Sequence, residues 1–253
     1  MSNTKTTFSE HYALFRKQLI IALCVILSLF VGFAMVAKRL YTWLALPLIT
    51  QLPHNGHMIA TSVITPVLTP LQFAFYLALF VGIPIIAIQA WWFAAPGLTQ
   101  SEKNQSIGVL VSAIALFYAG LWFAYGLIFP SIFMVFTMAT PEHVMLMPDI
   151  QIYLSFALQT LLVFGLIFQL PLVLTVLIAT GIATPEACRS QRKIILIVAL
   201  TVGMLITPPD VISQVLVAIP LCLLYEIGIL VGQCYNRYCF KTAQCDSITK
   251  QEK

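Results

Sequence analysis

The chain has 253 residues, of which 60% are hydrophobic and only 9% are charged, with a formal net charge of +4 at pH 7. Soluble domains average about 45–50% apolar and about 25% charged residues, so this composition excludes an ordinary soluble protein. The apolar residues form long continuous runs, which predict membrane helices and not the alternating strands of a membrane barrel. We therefore expect an all-α integral membrane protein with one polytopic domain over residues 1–253.

Six apolar runs predict six transmembrane helices, because a helix needs roughly 17–25 apolar residues to cross the hydrocarbon core. Pro130 marks the predicted end of the third helix, and Gln169-Leu170-Pro171 interrupts the fourth. Pro84, Pro171 and Pro220 are expected to kink their helices, since proline lacks a backbone donor. The predicted spans, in chain order, are Leu19–Ala37, Leu71–Phe93, Ile107–Phe129, Ile152–Thr180, Ile194–Pro208 and Val211–Gly232.

The fifth run, Ile194–Pro208, is short for a membrane span. It supplies roughly 22 Å of helix against a hydrocarbon core of roughly 30 Å. We expect Pro208 and Pro209 to stop this helix and Asp210 to cap the next one. The pattern predicts short fifth and sixth spans that leave the bilayer locally thin.

The distribution of Lys and Arg predicts the orientation of the spans. With six spans both termini lie on one side, and that side carries all of the 13 Lys and Arg residues except Lys38 and Arg39. We therefore expect residues 1–18 to form a cytoplasmic N-terminal segment and residues 233–253 a cytoplasmic tail.

Several classes of function find no support in the motifs. The chain has no nucleophile elbow, no zinc-protease motif and no phosphate-binding loop with a lysine, so we expect neither an enzyme nor a cofactor. The six cysteines predict no disulfide framework and lack the close pairs of a zinc site, and no nucleic-acid partner is expected. The first apolar run is longer than a signal-peptide core of roughly 7–15 residues, which predicts that it is retained.

Among the polar residues inside predicted spans, Gln169 and Glu226 are the candidate site residues. An ionisable group inside a membrane is costly and indicates function, so Glu226 is a candidate for binding a partner. Packing polarity near the membrane interface is the equally weighted alternative for Glu226. Gln169 can hydrogen-bond a polar residue on a neighbouring helix.

Several motifs resemble those of the TatC family, whose members are the polytopic subunits of the twin-arginine protein translocase. The resemblance runs from about His11 to Gly232, with the motifs in the family's order and at its spacing. The motifs that carry it include Ala45-Leu46-Pro47-Leu48 in the first outer loop, Gln89-Ala90-Trp91, Ala95-Pro96-Gly97-Leu98 and Glu102 in the first inner loop, Phe123-Ala124-Tyr125, Met204-Leu205-Ile206-Thr207-Pro208-Pro209-Asp210 and Tyr225-Glu226-Ile227-Gly228.

The resemblance implies a receptor that binds signal peptides with two consecutive arginines. It implies that Glu102, His11 and Arg16 bind the signal peptide, since Glu102 matches the family's inner-loop acid and the other two match its N-terminal motif. A carboxylate suits this role because arginine forms bidentate, charge-assisted bonds with it. It further implies TatA- and TatB-type single-span partners, held at Gln169 and Glu226, self-association in a multimeric complex, and the bacterial inner membrane. Pro47, like the prolines of the fifth span, is expected to be structural.

The sequence departs from the family pattern at three positions. Leu14, Ser62 and Gln169 stand where the family usually carries acids. Glu10 lies four residues before Leu14, so on a helix both share a face and Glu10 can supply the missing charge. A solvated acid at the start of a helix is an equally weighted interpretation of Glu10.

Two other functions remain as alternatives. A small-solute secondary transporter would need several intramembrane charges or broken helices around a midplane site, and only Glu226 fits that requirement. An intramembrane hydrolase would need a nucleophile and a base, for which the sequence offers no set.

Overall fold

The structure, a computed structural model, describes residues 8–49, 59, 62, 64–94, 100–139, 149–206 and 211–251. Nearly all of these residues are helical, and the one strand-like pairing among them is an isolated parallel bridge between Ile59 and Asp149. The elements are α1 (Phe8–Ile49), α2 (Thr65–Ala94), α3 (Gln100–Phe123), a π-helical turn (Ala124–Ile128), α4 (Phe129–Ala139), α5 (Ile150–Ile167), α6 (Leu170–Ala179), α7 (Pro185–Ser190), α8 (Arg192–Ile206) and α9 (Val211–Gln251).

Five helical stretches among the described residues are long and apolar enough to cross a membrane, which confirms a multi-pass, all-helical membrane protein. They coincide with five of the six predicted spans. The remaining predicted span is α8, which has 15 residues and is shorter than these stretches. The five stretches are Arg16–Ala37, Val67–Trp92, Ser106–Phe136, Ile150–Ala179 and Val211–Asn236.

The predicted end of the third span at Pro130 is wrong, because the helix continues through a π-helical turn to Ala139. The amide of Phe129 donates to the carbonyl of Ala124, five residues back, so the turn is widened just before the proline. The hydroxyl of Ser131 donates to the carbonyl of Leu127 at 2.7 Å. A π-helical adjustment and a serine side chain are two of the ways in which a membrane helix accommodates proline.

The predicted interruption of the fourth span is confirmed. Helix α5 ends at Ile167, a turn follows, and α6 begins at Leu170. The amide of Gln169 donates to the carbonyl of Leu166 at 3.0 Å, three residues back, which tightens the chain ahead of Pro171. Pro84 and Pro220 differ, because α2 and α9 continue through them.

Three further predictions concern helix ends. The sixth span is not short, since α9 has 41 residues and its apolar stretch from Val211 has 26, so the shortness is confined to α8. The outer-loop motif around Pro47 lies within α1, because that helix extends past the first span to Ile49.

Glu102, predicted in a loop, lies in the first turn of α3. Pro208, Pro209 and Asp210 lie outside the described residues.

The chain forms two compact units, of which the first comprises Met1–Ala115 and His143–Leu158. Its helices α1 and α2 pack antiparallel. The rings of Phe30 and Phe75 meet edge to face with centroids 6.3 Å apart. A Cβ atom added at Gly82 would lie 3.2 Å from Cγ1 of Ile26. The later position in α2 therefore contacts the earlier position in α1, as expected for antiparallel helices.

The second unit comprises Leu116–Glu142 and Gln159–Lys253. Its helices approach closely where glycines leave room, as is usual between membrane helices. A Cβ atom at Gly232 would lie 2.6 Å from Cδ1 of Ile178, which pairs α6 with α9. A Cβ atom at Gly203 would lie 2.9 Å from the carbonyl oxygen of Gln214, which brings α8 against the start of α9.

Candidate functional site

One end of the first unit gathers the beginnings of α1 and α3 and the end of α2. Because α1 and α2 are antiparallel, with Ile26 beside Gly82, Arg16 lies about 15 Å further along and level with the end of α2. Nε1 of Trp91 in that part of α2 donates to Oγ of Ser106 in α3 at 2.9 Å. Arg16, Trp91 and Ser106 therefore lie at the same end of the unit.

The same contact positions Glu102, which lies one turn before Ser106 in α3. The hydroxyl of Ser106 donates to the carbonyl of Lys103 at 2.9 Å, which holds the first turn of the helix beside Trp91. An acid in the first turn is favoured by the unpaired amides and the dipole of the helix. The backbone thus carries Glu102 to the end of the unit where α1 begins.

The other predicted signal-binding residues, Glu10, His11 and Arg16, lie in the first turns of α1. Because residues 10 and 14 both belong to α1, Glu10 and Leu14 lie one turn apart on the same face of that helix, as inferred from their spacing. Arg16 is exposed. The side chains of Glu10, His11 and Glu102 lie outside the described part of the structure, so their contacts with a signal peptide stay a prediction.

Sequence reasoning named Gln89 in a family motif but gave it no role; it lies in α2, two residues before Trp91. Its Oε1 atom is buried and has no hydrogen-bond partner in the part of the chain that the structure describes. A buried unpaired amide oxygen is costly, because it has lost water and gained no donor. Its place near the end of a predominantly apolar span is the sequence feature that could have marked Gln89 as a candidate binding residue.

The opposite end of the first unit contains a polar seam between α2 and α5. The hydroxyl of Thr65 donates to Oε1 of Gln151 at 3.0 Å, and Nε2 of Gln72 donates to Oγ of Ser155 at 3.2 Å. The later residue of α2 pairs with the later residue of α5, so the two helices run parallel and begin side by side. The seam was not predicted, because single polar residues in apolar runs do not reveal their partners.

Two short polar residues form the helix starts at this end. Oγ of Ser62 accepts a hydrogen bond from the amide of Ile64 at 3.4 Å, and its carbonyl accepts one from Thr65 at 3.3 Å. Serine can form such a turn as an acid does, which explains how Ser62 replaces the family's acid there. Asp149 is buried and accepts hydrogen bonds from the amides of Gln151 at 2.7 Å and Ile152 at 3.1 Å, which caps α5.

In the second unit Glu226 is held by Arg192 in a two-pronged ion pair. Nε of Arg192 lies 2.7 Å from Oε1 of Glu226, and Nη2 lies 2.8 Å from Oε2. Nη2 of Arg189 donates to Oε1 of Gln233 at 3.1 Å. The hydroxyl of Tyr225 donates to the carbonyl of Cys188 at 2.8 Å. These three contacts, which we call the clasp, fasten α7 and the start of α8 to α9, in agreement with a packing role for Glu226.

Gln169 lies in the turn between α5 and α6 and is half-buried. Helices α6 and α9 run parallel, since Pro171 meets Gly228 and Ile178 meets Gly232. Gln169, two residues before Pro171, is therefore at about the depth of Glu226. Its role in holding a partner stays a prediction.

Comparison with known proteins identifies the family. The family model for the Sec-independent protein translocase protein TatC matches residues 10–220. The TatC protein of Haemophilus influenzae is 42% identical over 214 residues, which are 85% of this chain and 83% of that protein. The TatC protein of Escherichia coli is 39% identical over 225 residues, which are 89% of this chain and 87% of that protein.

Solved structures agree with the sequence comparison. A crystal structure of the twin-arginine translocase receptor TatC is 33% identical, with a TM-score of 0.76, and the match covers 89% of this chain and 99% of that chain. A second crystal structure of that receptor, in the detergent DDM, is 32% identical with a TM-score of 0.78. The chain belongs to the TatC family of Sec-independent protein translocases.

Proposed function

We propose that this chain is the receptor subunit of a twin-arginine translocation system, which exports folded proteins across the bacterial inner membrane. The observation that carries the proposal is its similarity, over 89% of its length, to a solved structure of the twin-arginine translocase receptor. The Lys and Arg distribution supports an orientation with both termini in the cytoplasm. The end of the first unit that carries Arg16 and Glu102 then faces the cytoplasm.

The chemistry of that end suits a peptide with paired arginines. Glu102 offers a carboxylate at the start of α3, and Glu10 offers a second one on α1 in place of the acid missing at Leu14. Each guanidinium has five donors in a planar fork, so it can bond a carboxylate and a neutral oxygen together. The unpaired Oε1 of Gln89 supports this assignment, because it is an acceptor without a donor.

The partners proposed for this receptor are single-span subunits of the TatA and TatB type. Gln169 and the face of α6 beside it are proposed to hold such a partner, while self-association would build the multimeric receptor complex. Gln169 is half-buried, so part of the residue is open to a partner, and an amide at this depth can bond a polar residue on a neighbouring helix.

Replacing Gln169 tests the partner site. Gln169→Leu should lower the amount of single-span subunit that co-purifies with the receptor, whereas Gln169→Glu, which restores the usual family residue, should retain it. Undiminished co-purification with the Gln169→Leu variant would contradict the role.

The decisive experiment for the function is complementation of a bacterial strain that lacks its own TatC. The chain should restore export of a folded reporter that carries a twin-arginine signal, and it should restore nothing when the two arginines are replaced by lysines. A chain that accumulates in the membrane but never exports the reporter would refute the proposal.

The rival function, small-solute transport, loses the observation that favoured it. That interpretation depended on Glu226 as an intramembrane acid at a transport site. Both carboxylate oxygens of Glu226 are engaged by Arg192.

A further inference from the structure

We propose that the Arg192–Glu226 ion pair fixes the depth of α8 beside α9 and thereby places the polar helix α7 next to an apolar part of α9. Arg192 and Glu226 are positioning residues in this proposal, acting through the placement of the fifth span. The expected effect on export rests on the proposed function, whereas the expected depth of α8 does not.

The backbone register independently agrees with the ion pair. Helix α8 runs antiparallel to α9, with Gly203 against Gln214, and Nε2 of Gln214 donates to the carbonyl of Leu200 at 2.9 Å. Arg192 lies eleven residues before Gly203, and Tyr225 lies eleven residues after Gln214. Counting along both helices therefore brings Arg192 level with the residue that precedes Glu226.

This register leaves much of α9 without a matching length of α8. The apolar stretch of α9 continues to Asn236, ten residues beyond Glu226, which is about 15 Å along the helix axis. The charged start of α8 is therefore about 15 Å short of the end of that stretch. The length that the fifth span lacks lies entirely at its α7 end.

Helix α7 occupies the side of α9 that α8 leaves open. Cys188 of α7 is buried in a small cluster with Tyr225 and Ile229 of α9. Glu186 and Arg189 of α7 are exposed. A polar helix thus lies beside a part of α9 that is apolar in sequence, where a full-length span would present apolar side chains.

Apolar packing alone does not set this depth. Beyond the two basic residues at its start, the outward face of α8 is apolar except for Thr201, with Ile197 64% and Leu205 78% exposed, so a shift by one turn would cost its lipid contacts little. Arg192 and Lys193 would also reach water more easily from a shallower position, as long basic side chains do near membrane surfaces. The two-pronged bond to Glu226 opposes that shift, because its fork geometry fits one register only.

The pair is suited to positioning and contributes little to stability. The side chains of Arg192 and Glu226 are 51% and 40% exposed. Exposed pairs are worth little in free energy of folding, so loss of this one should leave the fold intact. The two bonds between the guanidinium and the carboxylate nevertheless form in one relative position of α8 and α9 only, so the pair can select that position.

The test measures the depth of α8 in the full-length chain. A nitroxide label is attached to a cysteine introduced at Ile197, with the six native cysteines replaced by alanine. The label's collision rates with oxygen and with a water-soluble nickel complex then give its depth in vesicles. Glu226→Gln should move the label by about one helical turn, roughly 5 Å, whereas the double exchange Arg192→Glu with Glu226→Arg should return it to its original depth.

A second readout is export of the folded reporter. Glu226→Gln should lower export by up to about fivefold, because the strongest exposed ion pairs change the population of a correctly placed helix by no more than that factor. The double exchange should recover it, and crosslinking of a twin-arginine peptide to the first unit should be unchanged. Lys193→Gln is the matched control, since it removes an adjacent exposed charge without breaking the pair, and it should alter neither depth nor export.

Three results would overturn the proposal. They are an unchanged depth in Glu226→Gln, a failure of the double exchange to restore it, or an equal shift in Lys193→Gln. If Glu226→Gln does not accumulate in the membrane, Arg192→Lys keeps the charge but loses the fork, and an unchanged depth in that variant would also refute the role. A wild-type chain that fails to export would instead refute the proposed function while leaving the depth measurement valid.

Discussion

Helix α5 is held in two different ways along its length. Near its start, Gln151 and Ser155 form side-chain hydrogen bonds with α2 in the first unit. Near its end, the backbone of Phe164 comes so close to α3 that a Cβ atom at Gly120 would lie 2.6 Å from its carbonyl oxygen. A hydrogen-bonded seam can lose one bond and still close, whereas a backbone contact leaves no space for any added atom. The two regions should therefore respond very differently to small substitutions.

The largest expected effect on stability comes from breaking the backbone contact. Gly120→Ala places a methyl group against the carbonyl of Phe164 and the Cα atom of Gly165, neither of which is a flexible side chain. Overpacking of this kind costs about 1–3 kcal/mol, so the melting temperature of the purified protein in detergent should fall by several degrees. Gly108→Ala is the matched control in the same helix, because an added Cβ atom there meets nothing within 4 Å. Equal stability of the two variants would show that α3 and α5 can separate freely.

The proposed signal-binding end of the first unit and the clasp of the second unit differ in whether their polar side chains have partners. At the proposed signal-binding end of the first unit, Gln89 carries a buried acceptor without a partner, and Glu102 begins a helix. In the clasp of the second unit, the charges of Arg192 and Glu226 satisfy each other. An unsatisfied group can gain a bond when a ligand arrives, whereas a satisfied pair holds structure. Changes at the first region should alter binding, and changes at the second should alter position.

Charge reversal at Glu102 should have the largest effect on binding. Glu102→Arg replaces the proposed partner of the signal arginine with a like charge. Truncating one member of a hydrogen-bonded charge pair costs about 2–5 kcal/mol, so peptide affinity should fall by about thirtyfold or more. The measurement is titration of a fluorescent twin-arginine peptide onto the receptor in nanodiscs. Lys103→Glu is the control at the neighbouring position, and unchanged affinity in the Glu102 variant would remove Glu102 from the site.

Gln89 separates stability from binding, because the two should change in opposite directions. Gln89→Leu removes a buried acceptor that has no donor, so the unliganded protein should be as stable as before or more stable. The same change should weaken peptide binding by about tenfold, if one hydrogen bond to a charged donor is lost. Melting temperature without peptide and affinity for the peptide test the two halves. A fall in both would mean that Gln89 serves the fold and not the ligand.

The sequence predicted the elements whose signal is local. Apolar run length located five spans, and Pro171 located the break between α5 and α6, because both depend on residues that are close along the chain. The end of the third span was mispredicted at Pro130, since a π-helical turn and Ser131 satisfy the backbone that the proline disrupts. Such compensation depends on the geometry of a whole turn, which residue types alone do not specify.

The site was less predictable than the fold, for a physical reason. Glu102 received its role through the family motif, whereas Gln89 was named in a motif without a role, and the partner of Glu226 was not predicted. Arg192 is 34 residues from Glu226, and no periodicity links positions on different helices. Pairing between helices follows from register, and a close approach such as that of Gly203 to Gln214 depends on residues of two helices that lie apart along the chain.

The smallest expected effect concerns the polar seam at the start of α5. Gln72→Leu removes one of its two side-chain bonds, the one to Ser155, and leaves the bond between Thr65 and Gln151 intact. Side-chain hydrogen bonds between membrane helices average about 0.6 kcal/mol, because the unfolded helices also find polar partners in the membrane. The melting temperature in detergent should therefore fall by only about 1–2 °C, less than for Gly120→Ala. A paired change, Gln72→Leu with Ser155→Ala, should cost no more than the single one, since the hydroxyl is no longer left without its donor. A loss as large as that of Gly120→Ala would show that the seam is as rigid as the backbone contact, and the contrast between the two ends of α5 would not hold.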